Sequence, residues 1–221
     1  MTENRRARPA LDPEGRRARR GFDPEDRLAP PTFDPADAAA AAARFAATAA
    51  ADVHYALVDS PVGTLVAAAT PRGLATLSYE DQFGGADGVL DWLADRLSPR
   101  ILEAPVRLDD VRRELDEYFA GRRRDFDLPI DWALASAFGR RVLKATAKIP
   151  FGQVSTYGAV ASKAGNPKAS RAAGRALGAN PIPIVVPCHR VIGASGRLVG
   201  YTGGLERKVA LLEIEGIVLP G

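Results

Sequence analysis

The first periodic pattern of hydrophobic and polar positions in the chain is a β pattern. Residues 53–58, 64–69 and 74–79 form three short runs rich in apolar and β-branched residues. The connecting segments, Ser60-Pro61-Val62-Gly63 and Thr70-Pro71-Arg72-Gly73, have the composition of tight turns. The pattern predicts an antiparallel meander of three strands.

A helical pattern follows the meander. Leu108, Val111, Leu115 and Tyr118 recur at the spacing of one helix face, and Gly121 follows as a stop signal. We expect an amphipathic helix that covers one face of the sheet. Strands and helix together predict an α/β domain.

The C-terminal part of the chain is predicted to be mostly helical. A helix starts near Ser136 and is ended by Pro150, and two short helical segments follow at residues 154–164 and 168–179. Gly165-Asn166-Pro167 separates these two segments. A short break followed by a cationic helix is the pattern of a helix-turn-helix.

Two further elements lie near the only cysteine. The apolar run at residues 182–186 predicts a buried strand that leads to Cys188. A final helix is expected over residues 204–215. It places Glu215 at its C-terminal end, where the helix macrodipole disfavours an anion by roughly 0.3 to 1 kcal/mol. We therefore expect a compensating cation or proton donor, with His189 as the candidate.

The N-terminal extension has a different composition. Residues 1 to about 36 alternate arginine runs with Asp-Pro and Pro-Pro pairs, which predicts disorder. Residues 37–51 are alanine-rich and predict a helix that buries little apolar surface. The predicted organisation is an extension over residues 1–51, an N-terminal α/β domain over 52–130 and a helix-turn-helix domain over 131–221.

Composition narrows the function classes. One cysteine excludes an internal disulfide, and His54 and His189 alone cannot complete a structural zinc site, so we expect neither metal nor cofactor. His54, on an alternating strand, is interpreted as a structural or surface histidine and not as a ligand. No run approaches the roughly 20 apolar residues of a membrane span, and the charged N-terminus does not resemble a signal peptide. We expect a cytoplasmic protein.

The charge distribution points to a nucleic acid, although a solvated basic face has the same pattern. The net charge is only +3, but residues 140–175 contain no Asp or Glu. The cations of this stretch are Arg140, Arg141, Lys144, Lys148, Lys163, Lys168, Arg171 and Arg175. The glycine-rich loop around Tyr201 lacks the Lys-Ser/Thr pair of a phosphate loop, which favours a pocket wall over nucleotide binding.

Cys188 stands in the tetrapeptide Pro187-Cys188-His189-Arg190. Most free cysteines are inert buried residues. A neighbouring imidazole and guanidinium are, however, the groups that raise the thiolate fraction of a thiol. These residues alone leave open whether Cys188 is an inert core thiol or a nucleophile.

A longer pattern favours the nucleophile. Residues 180–193, with Tyr201-Thr202-Gly203-Gly204-Leu205, closely resemble the signature of the O6-alkylguanine-DNA alkyltransferases, also called methylated-DNA-protein-cysteine methyltransferases. The similarity extends to residues 149–152, 155–158, 165–172 and 215–216. Residues 52–131 are similar, more weakly, to the N-terminal α/β domain of that family.

The resemblance implies a fold and an activity. The fold is a ribonuclease H-like N-terminal domain followed by a winged-helix-like domain with a helix-turn-helix. The activity is direct repair, in which a monomer without a cofactor binds double-stranded DNA through the minor groove and flips out O6-alkylguanine. It then transfers the alkyl group irreversibly to its own cysteine, and O4-alkylthymine is a further substrate of this kind.

The resemblance also implies roles for particular residues. Cys188 is the acceptor, His189 its base through a water, and Glu215 orients His189. Tyr157 donates a proton toward the leaving guanine, and Asn180 braces the active-site segment. Arg171 replaces the flipped base in the stack, while other residues line the base site or contact DNA: Ser155, Thr156, Ala172, Val191, Tyr201, Thr202 and Lys208.

Two functions from other classes remain as alternatives. A protein that only binds alkylated DNA would not need the cysteine acceptor. A helix-turn-helix regulator that senses damage would be expected to have further cysteines in a zinc module, and this chain has one cysteine. A cysteine hydrolase would need an acyl-substrate site that the sequence does not indicate.

Deleting residues 1–50 is expected to leave the melting temperature and the rate of alkyl transfer nearly unchanged, because this composition cannot bury enough apolar surface to order itself. Thermal melts and single-turnover transfer rates of the full and shortened chains check this. A large drop in either quantity would show that the extension packs on the domains.

Overall fold

A computed structural model describes Ala40–Ala41 and residues 51–218, and its N-terminal domain is built on a four-stranded sheet. The strands are β1 (Val53–Val58), β2 (Leu65–Thr70), β3 (Gly73–Tyr79) and β4 (Ile101–Glu103), in the order β3-β2-β1-β4. The meander is confirmed to within one residue at each strand end. β4 was not predicted, because three residues are too few for a pattern, and it runs parallel to β1. The sheet is therefore mixed and not wholly antiparallel.

Helices cover both faces of this sheet. On one face, β2 residues Val66 and Ala68 pack against Val89 and Leu93 of α1 (Ala86–Arg96), a helix that the sequence analysis missed. On the other face lies the predicted amphipathic helix, α2 (Asp109–Phe119). The alternation of side chains along β2 supplies both cores.

The C-terminal domain contains the predicted helix-turn-helix. Helix α3 (Ala137–Thr146) starts at an N-cap serine, Ser136, as expected. Helices α4 (Tyr157–Lys163) and α5 (Ser170–Gly178) follow, and we call α5 the recognition helix. Helix α4 begins three residues later than predicted. The preceding residues instead form β5 (Ser155–Thr156), and the Thr156 hydroxyl caps α4 by accepting from the Ala159 amide.

The predicted strand at residues 182–186 is wrong. This segment is buried but irregular, because Pro181, Pro183 and Pro187 lack the amide hydrogens that a strand ladder needs and Ile184 has φ of +72°. Cys188 consequently starts a short 3₁₀ turn, Cys188–Arg190, and not the end of a strand. The chain continues into β6 (Val191–Ile192), which pairs in parallel with β5.

The last predicted helix is confirmed as α6 (Leu205–Ile214), with Glu215 as its C-cap. One apolar core runs through both domains, and polar contacts join them at the active-site segment. The Pro181 carbonyl accepts from the Leu77 amide (2.9 Å) and the Thr76 hydroxyl (2.8 Å) of β3. The N-terminal sheet thus holds the segment that precedes Cys188.

Two predictions fall on other parts of the chain. The disorder predicted for residues 1 to 36 and most of the helix predicted at 37–51 lie outside the described residues, although Ala40 and Ala41 are helical. Among the residues that are described, no helix is long and apolar enough to cross a membrane.

Candidate active site

A cavity of about 460 Å³ opens between the recognition helix and the glycine-rich loop. Five residues singled out in the sequence line it together: Cys188, Tyr157, Arg171, Tyr201 and Thr202. The rest of its wall is formed by Gly174, Arg175, Leu177, Gly178, Val199 and Gly200. Side chains that are up to 45 positions apart in the sequence therefore surround one space.

The Cys188 thiol borders this cavity and is nearly buried. Asn180 Nδ2 lies 3.1 Å from Cys188 Sγ and donates to the Val186 carbonyl (2.9 Å), while Asn180 Oδ1 accepts from the Ile182 amide (3.1 Å). Burial raises the pKa of the Cys188 thiol to about 11, although the Asn180 hydrogen bond opposes this. The thiol is protonated at neutral pH, so its reaction needs a base.

The His189 ring is buried behind the cysteine, with Nε2 2.9 Å from Glu215 Oε1. Burial lowers the pKa of His189 despite the nearby carboxylate, so the ring is neutral. Burial alone would raise the pKa of Glu215, but hydrogen bonds from His189 and Arg190 lower it to about 2. Because the ionised carboxylate only accepts, Nε2 carries the proton and Nδ1 the lone pair. Nδ1 has no hydrogen-bond partner in the described structure and is the nitrogen available to act as a base.

The compensating groups expected near Glu215 are present: neutral His189 donates a hydrogen bond, and Arg190 supplies the cation. Arg190 Nε and Nη2 both bind the carboxylate, at 2.8 to 3.1 Å, and Nη1 donates to the Ile149 carbonyl. Tyr118 of α2 donates its hydroxyl to the same carboxylate (2.8 Å), and so does the Gly152 amide (3.2 Å). The adjacency of Arg190 to His189 was visible in the sequence, whereas no local signal connects Tyr118 to a helix nearly a hundred residues later.

Tyr201 forms the wall of the cavity nearest the N-terminal domain. Its hydroxyl lies 2.9 Å from that of Tyr79, the last residue of β3, which is fully buried. The Arg207 guanidinium stacks on the Tyr79 ring at 4.3 Å and pairs with Asp81. Gly203 also packs on this ring, since a Cβ there would lie 2.3 Å from a ring carbon. Tyr79 thus supports Tyr201 from behind, a contact that sequence reasoning missed.

Tyr157 and Arg171 lie on the helix-turn-helix side of the cavity. Tyr157 starts α4, and its hydroxyl is 3.5 Å from the Val199 carbonyl. Burial raises the pKa of Tyr157, so the phenol keeps its proton at neutral pH. Arg171 is exposed on the recognition helix. Gly174, on the same helix, faces the Tyr157 ring, and a Cβ there would make an ordinary van der Waals contact with it at 3.6 Å.

Lys208 and Thr202 fasten the glycine-rich loop. The buried Lys208 Nζ donates to the carbonyls of Val191 (2.6 Å) and Val199 (2.9 Å), and burial lowers its pKa to about 8. The Thr202 hydroxyl donates to the Gly178 carbonyl at the end of the recognition helix (3.1 Å). Both contacts hold the cavity wall in place.

The remaining predicted residues do not line the cavity. Val191 is fully buried, Ser155 and Thr156 pair with β6, and Ala172 is half-buried on the recognition helix. Within residues 51–218, no group of His, Cys, Asp and Glu side chains is arranged to hold a metal ion.

Glu215→Gln is expected to destabilise the protein by roughly 3 to 5 kcal/mol near pH 7, because it leaves Arg190 buried without its counter-ion. The folded pKa of Glu215, about 2, is below its ordinary value of 4.5, so the stabilisation is present above pH 4.5 and is lost as the pH falls toward 2. Denaturant unfolding of both chains from about pH 7 to pH 3 should show that the difference in the free energy of unfolding between the original chain and the variant becomes smaller. Glu213→Gln, at an exposed position on the same helix, is the control. A difference in the free energy of unfolding that does not change with pH would contradict an ionised Glu215.

Two family models match the chain. The "6-O-methylguanine DNA methyltransferase, ribonuclease-like domain" matches residues 53–132, and the corresponding "DNA binding domain" matches residues 137–217. These matches confirm the predicted fold class, a ribonuclease-like α/β domain followed by a helical DNA-binding domain.

Individual proteins agree with the family models. The methylated-DNA–protein-cysteine methyltransferase of Mycobacterium tuberculosis is 42% identical over 163 residues, which cover 74% of this chain and 92% of that protein. The Methanosarcina acetivorans protein of the same name is 38% identical over 164 residues, covering 74% and 99%. A crystal structure of M. tuberculosis OGT in complex with DNA matches with a TM-score of 0.63 and 42% identity, covering 73% of this chain and 92% of that one. The chain therefore belongs to the 6-O-methylguanine DNA methyltransferase family, as its sequence predicted.

Proposed function

We propose that this methyltransferase repairs 6-O-methylguanine in duplex DNA by transferring the alkyl group to Cys188. The observation that carries the choice of acceptor is the position of the only thiol of the chain, on the wall of a cavity and next to a neutral imidazole. The ionised Glu215 carboxylate binds the other ring nitrogen, Nε2, and so keeps Nδ1 free to act as a base. A thiol with a pKa of about 11 reacts only when such a base takes its proton.

The proposed reaction is an in-line displacement at a saturated carbon. Cys188 gives its proton, through a water, to His189 Nδ1, and the sulfur forms a bond to the alkyl carbon while the bond from that carbon to guanine O6 breaks. The electron pair leaves with the guanine, which takes the Tyr157 hydroxyl proton. The proton on His189 then restores the Tyr157 phenol through solvent. The products are a thioether and an unmodified guanine.

The surrounding groups act on the charges that develop. Glu215 stabilises the His189 imidazolium, and a phenol donor stabilises the leaving guanine as negative charge appears on it. Lys208 and Asn180 hold the cavity wall and the thiol in position. The thioether has no route back to a thiol, so each molecule acts once.

The substrate must reach this cavity outside the base stack. O6 is inaccessible within a duplex, and extruding the nucleotide costs a few kcal/mol. We assign to Arg171, exposed on the recognition helix, the role of filling the vacated position. The small residues Ala172 and Gly174 on this helix allow a close approach to the minor groove.

The same site also bears on the alternative functions, the oligomeric state, the location and a second substrate. A binding-only protein or a regulator would not require the arrangement of Cys188, His189 and Glu215. All the groups in the proposed reaction come from one chain, so we propose a monomer, located in the cytoplasm with the DNA it repairs. O4-alkylthymine is proposed as a second substrate, because its alkyl group is also carried on an exocyclic oxygen.

Cys188→Ala is expected to abolish alkyl transfer while leaving the affinity for O6-methylguanine duplex within a few fold, because Asn180 keeps its bond to the Val186 carbonyl. In the unmodified chain, transfer from excess damaged DNA should plateau at one group per molecule. Intact-protein mass and peptide mapping check both expectations. Transfer by the variant, several turnovers, or a label on another peptide would contradict the mechanism.

Arg171→Ala is expected to slow repair in duplex DNA by at least about tenfold, the equivalent of 1.4 kcal/mol, because the variant lacks the group that fills the stack. Transfer from free O6-benzylguanine, which needs no flipping, should keep its rate. Single-turnover rates on the two substrates provide the test, with Lys168→Ala as a control that removes one exposed charge just before the recognition helix. Equal losses on both substrates would place Arg171 in the chemistry or the fold instead.

A further inference from the structure

A second concave surface lies next to the helix-turn-helix and shares no residue with the catalytic cavity. This basic groove has a volume of about 610 Å³ and is lined by α3, the residues after it and the end of α4. Its lining residues are Trp132, Arg141, Lys144, Ala145, Ala147, Lys148, Lys163 and Ala164. Four of these are cations and none is an acid.

The cations of the basic groove have no carboxylate partners in the described structure. Arg141 contributes to the fold, because its Nε donates to the Ala164 carbonyl at the end of α4. The side chains of Lys144, Lys148 and Lys163 are exposed, and among residues 51–218 none of them forms an ion pair or a hydrogen bond. Lys144 lies over the Trp132 ring, at 5.9 Å from its centre.

Local structure does not account for this concentration of charge. A cation near the end of a helix is favoured by the macrodipole, which explains one residue at each helix end. Arg141 and Lys144, however, lie three residues apart on α3, where like charges repel by about 0.2 to 0.5 kcal/mol, and Lys148 adds a further cation two residues past the end of this helix. The sequence from Trp132 to Leu205 contains no Asp or Glu that could relieve this repulsion. The groove is therefore suited to bind an anion from outside the chain.

The position of the groove indicates which anion. Tyr157 at one end of α4 lines the catalytic cavity, and Lys163 at the other end lines the groove. A seven-residue helix is about 10 Å long, which corresponds to about three phosphates along one DNA strand. A duplex seated on the cavity would bring its backbone within reach of the groove.

We propose that the basic groove binds backbone phosphates of the same duplex that is being repaired, on the flank of the damaged base. Lys144, Lys148 and Lys163 are the contacts, and they extend the DNA footprint beyond the recognition helix. This inference rests on the proposed function, since it assumes that damaged duplex occupies the catalytic cavity.

The test replaces the three lysines together, Lys144→Gln, Lys148→Gln and Lys163→Gln, and retains Arg141 because it supports α4. The control removes three exposed arginines from the N-terminal domain, Arg96→Gln, Arg112→Gln and Arg122→Gln. Affinity for an O6-methylguanine duplex is measured by fluorescence anisotropy at several salt concentrations, with Cys188→Ala in every chain to prevent transfer. Two DNA duplexes are used. The short one is just long enough to cover the helix-turn-helix, and the long one has additional base pairs on both sides.

On the long duplex, the lysine variant is expected to bind at least about tenfold more weakly than the control. Its salt slope should fall by about one unit for each phosphate that the groove no longer binds. On the short duplex the two variants should differ less. Equal affinities and slopes for both variants on the long duplex would overturn the proposal. An equal defect on both duplexes would also overturn it, because the lysines would then act at the helix-turn-helix itself.

A separate assay keeps this result apart from the proposed function. With Cys188 present, the lysine variant should take the benzyl group from free O6-benzylguanine at the rate of the unchanged chain, since the groove does not touch the cavity. If the unchanged chain transfers no group to Cys188, the proposed function is wrong. The anisotropy comparison tests the proposal about the basic groove independently of that outcome.

Discussion

The ionised carboxylate of Glu215 is the constraint on which the rest of the site depends. It lies buried at the C-terminal end of α6, where both burial and the macrodipole disfavour a negative charge. Five hydrogen-bond donors offset that cost, from the phenol of Tyr118, the imidazole of His189, the guanidinium of Arg190 and the Gly152 amide. These groups come from three separate parts of the chain, so the carboxylate fixes their relative positions.

The same carboxylate determines the chemistry of its neighbours. It holds His189 with the lone pair on Nδ1. In the mechanism we propose, it also supports a positive charge on the ring once the thiol proton arrives. Arg190, which also binds Glu215, keeps the carboxylate ionised although it does not line the cavity beside Cys188. A buried charge network of this type is costly if any partner is removed, because the remaining charge stays desolvated.

The N-terminal domain takes part in the site through its side chains, not only by covering it. Tyr118 reaches Glu215, Tyr79 supports Tyr201, and Thr76 and Leu77 in the middle of β3 bind the Pro181 carbonyl. The tight packing of Gly203 on Tyr79 fixes the glycine-rich loop against the sheet. A ribonuclease-like domain without any residue in the proposed chemical steps thus positions two walls of the cavity.

The sequence by itself determined the elements with clear periodicity and punctuation, which are the three strands of the meander, α2, α3, α6 and the helix-turn-helix. It also determined the family and the candidate residues, because the motif around Cys188 is long and continuous. It missed β4 and α1. It also assigned a strand to residues 182–186, because the apolar run was given more weight than Pro181, Pro183 and Pro187, which cannot donate to a strand ladder. Only the tertiary structure decided the contacts of Tyr79 and Tyr118, the place of Arg190 in the Glu215 network and the concavity around Lys144 and Lys163. These depend on distances between elements far apart in the chain, which local periodicity and composition do not encode.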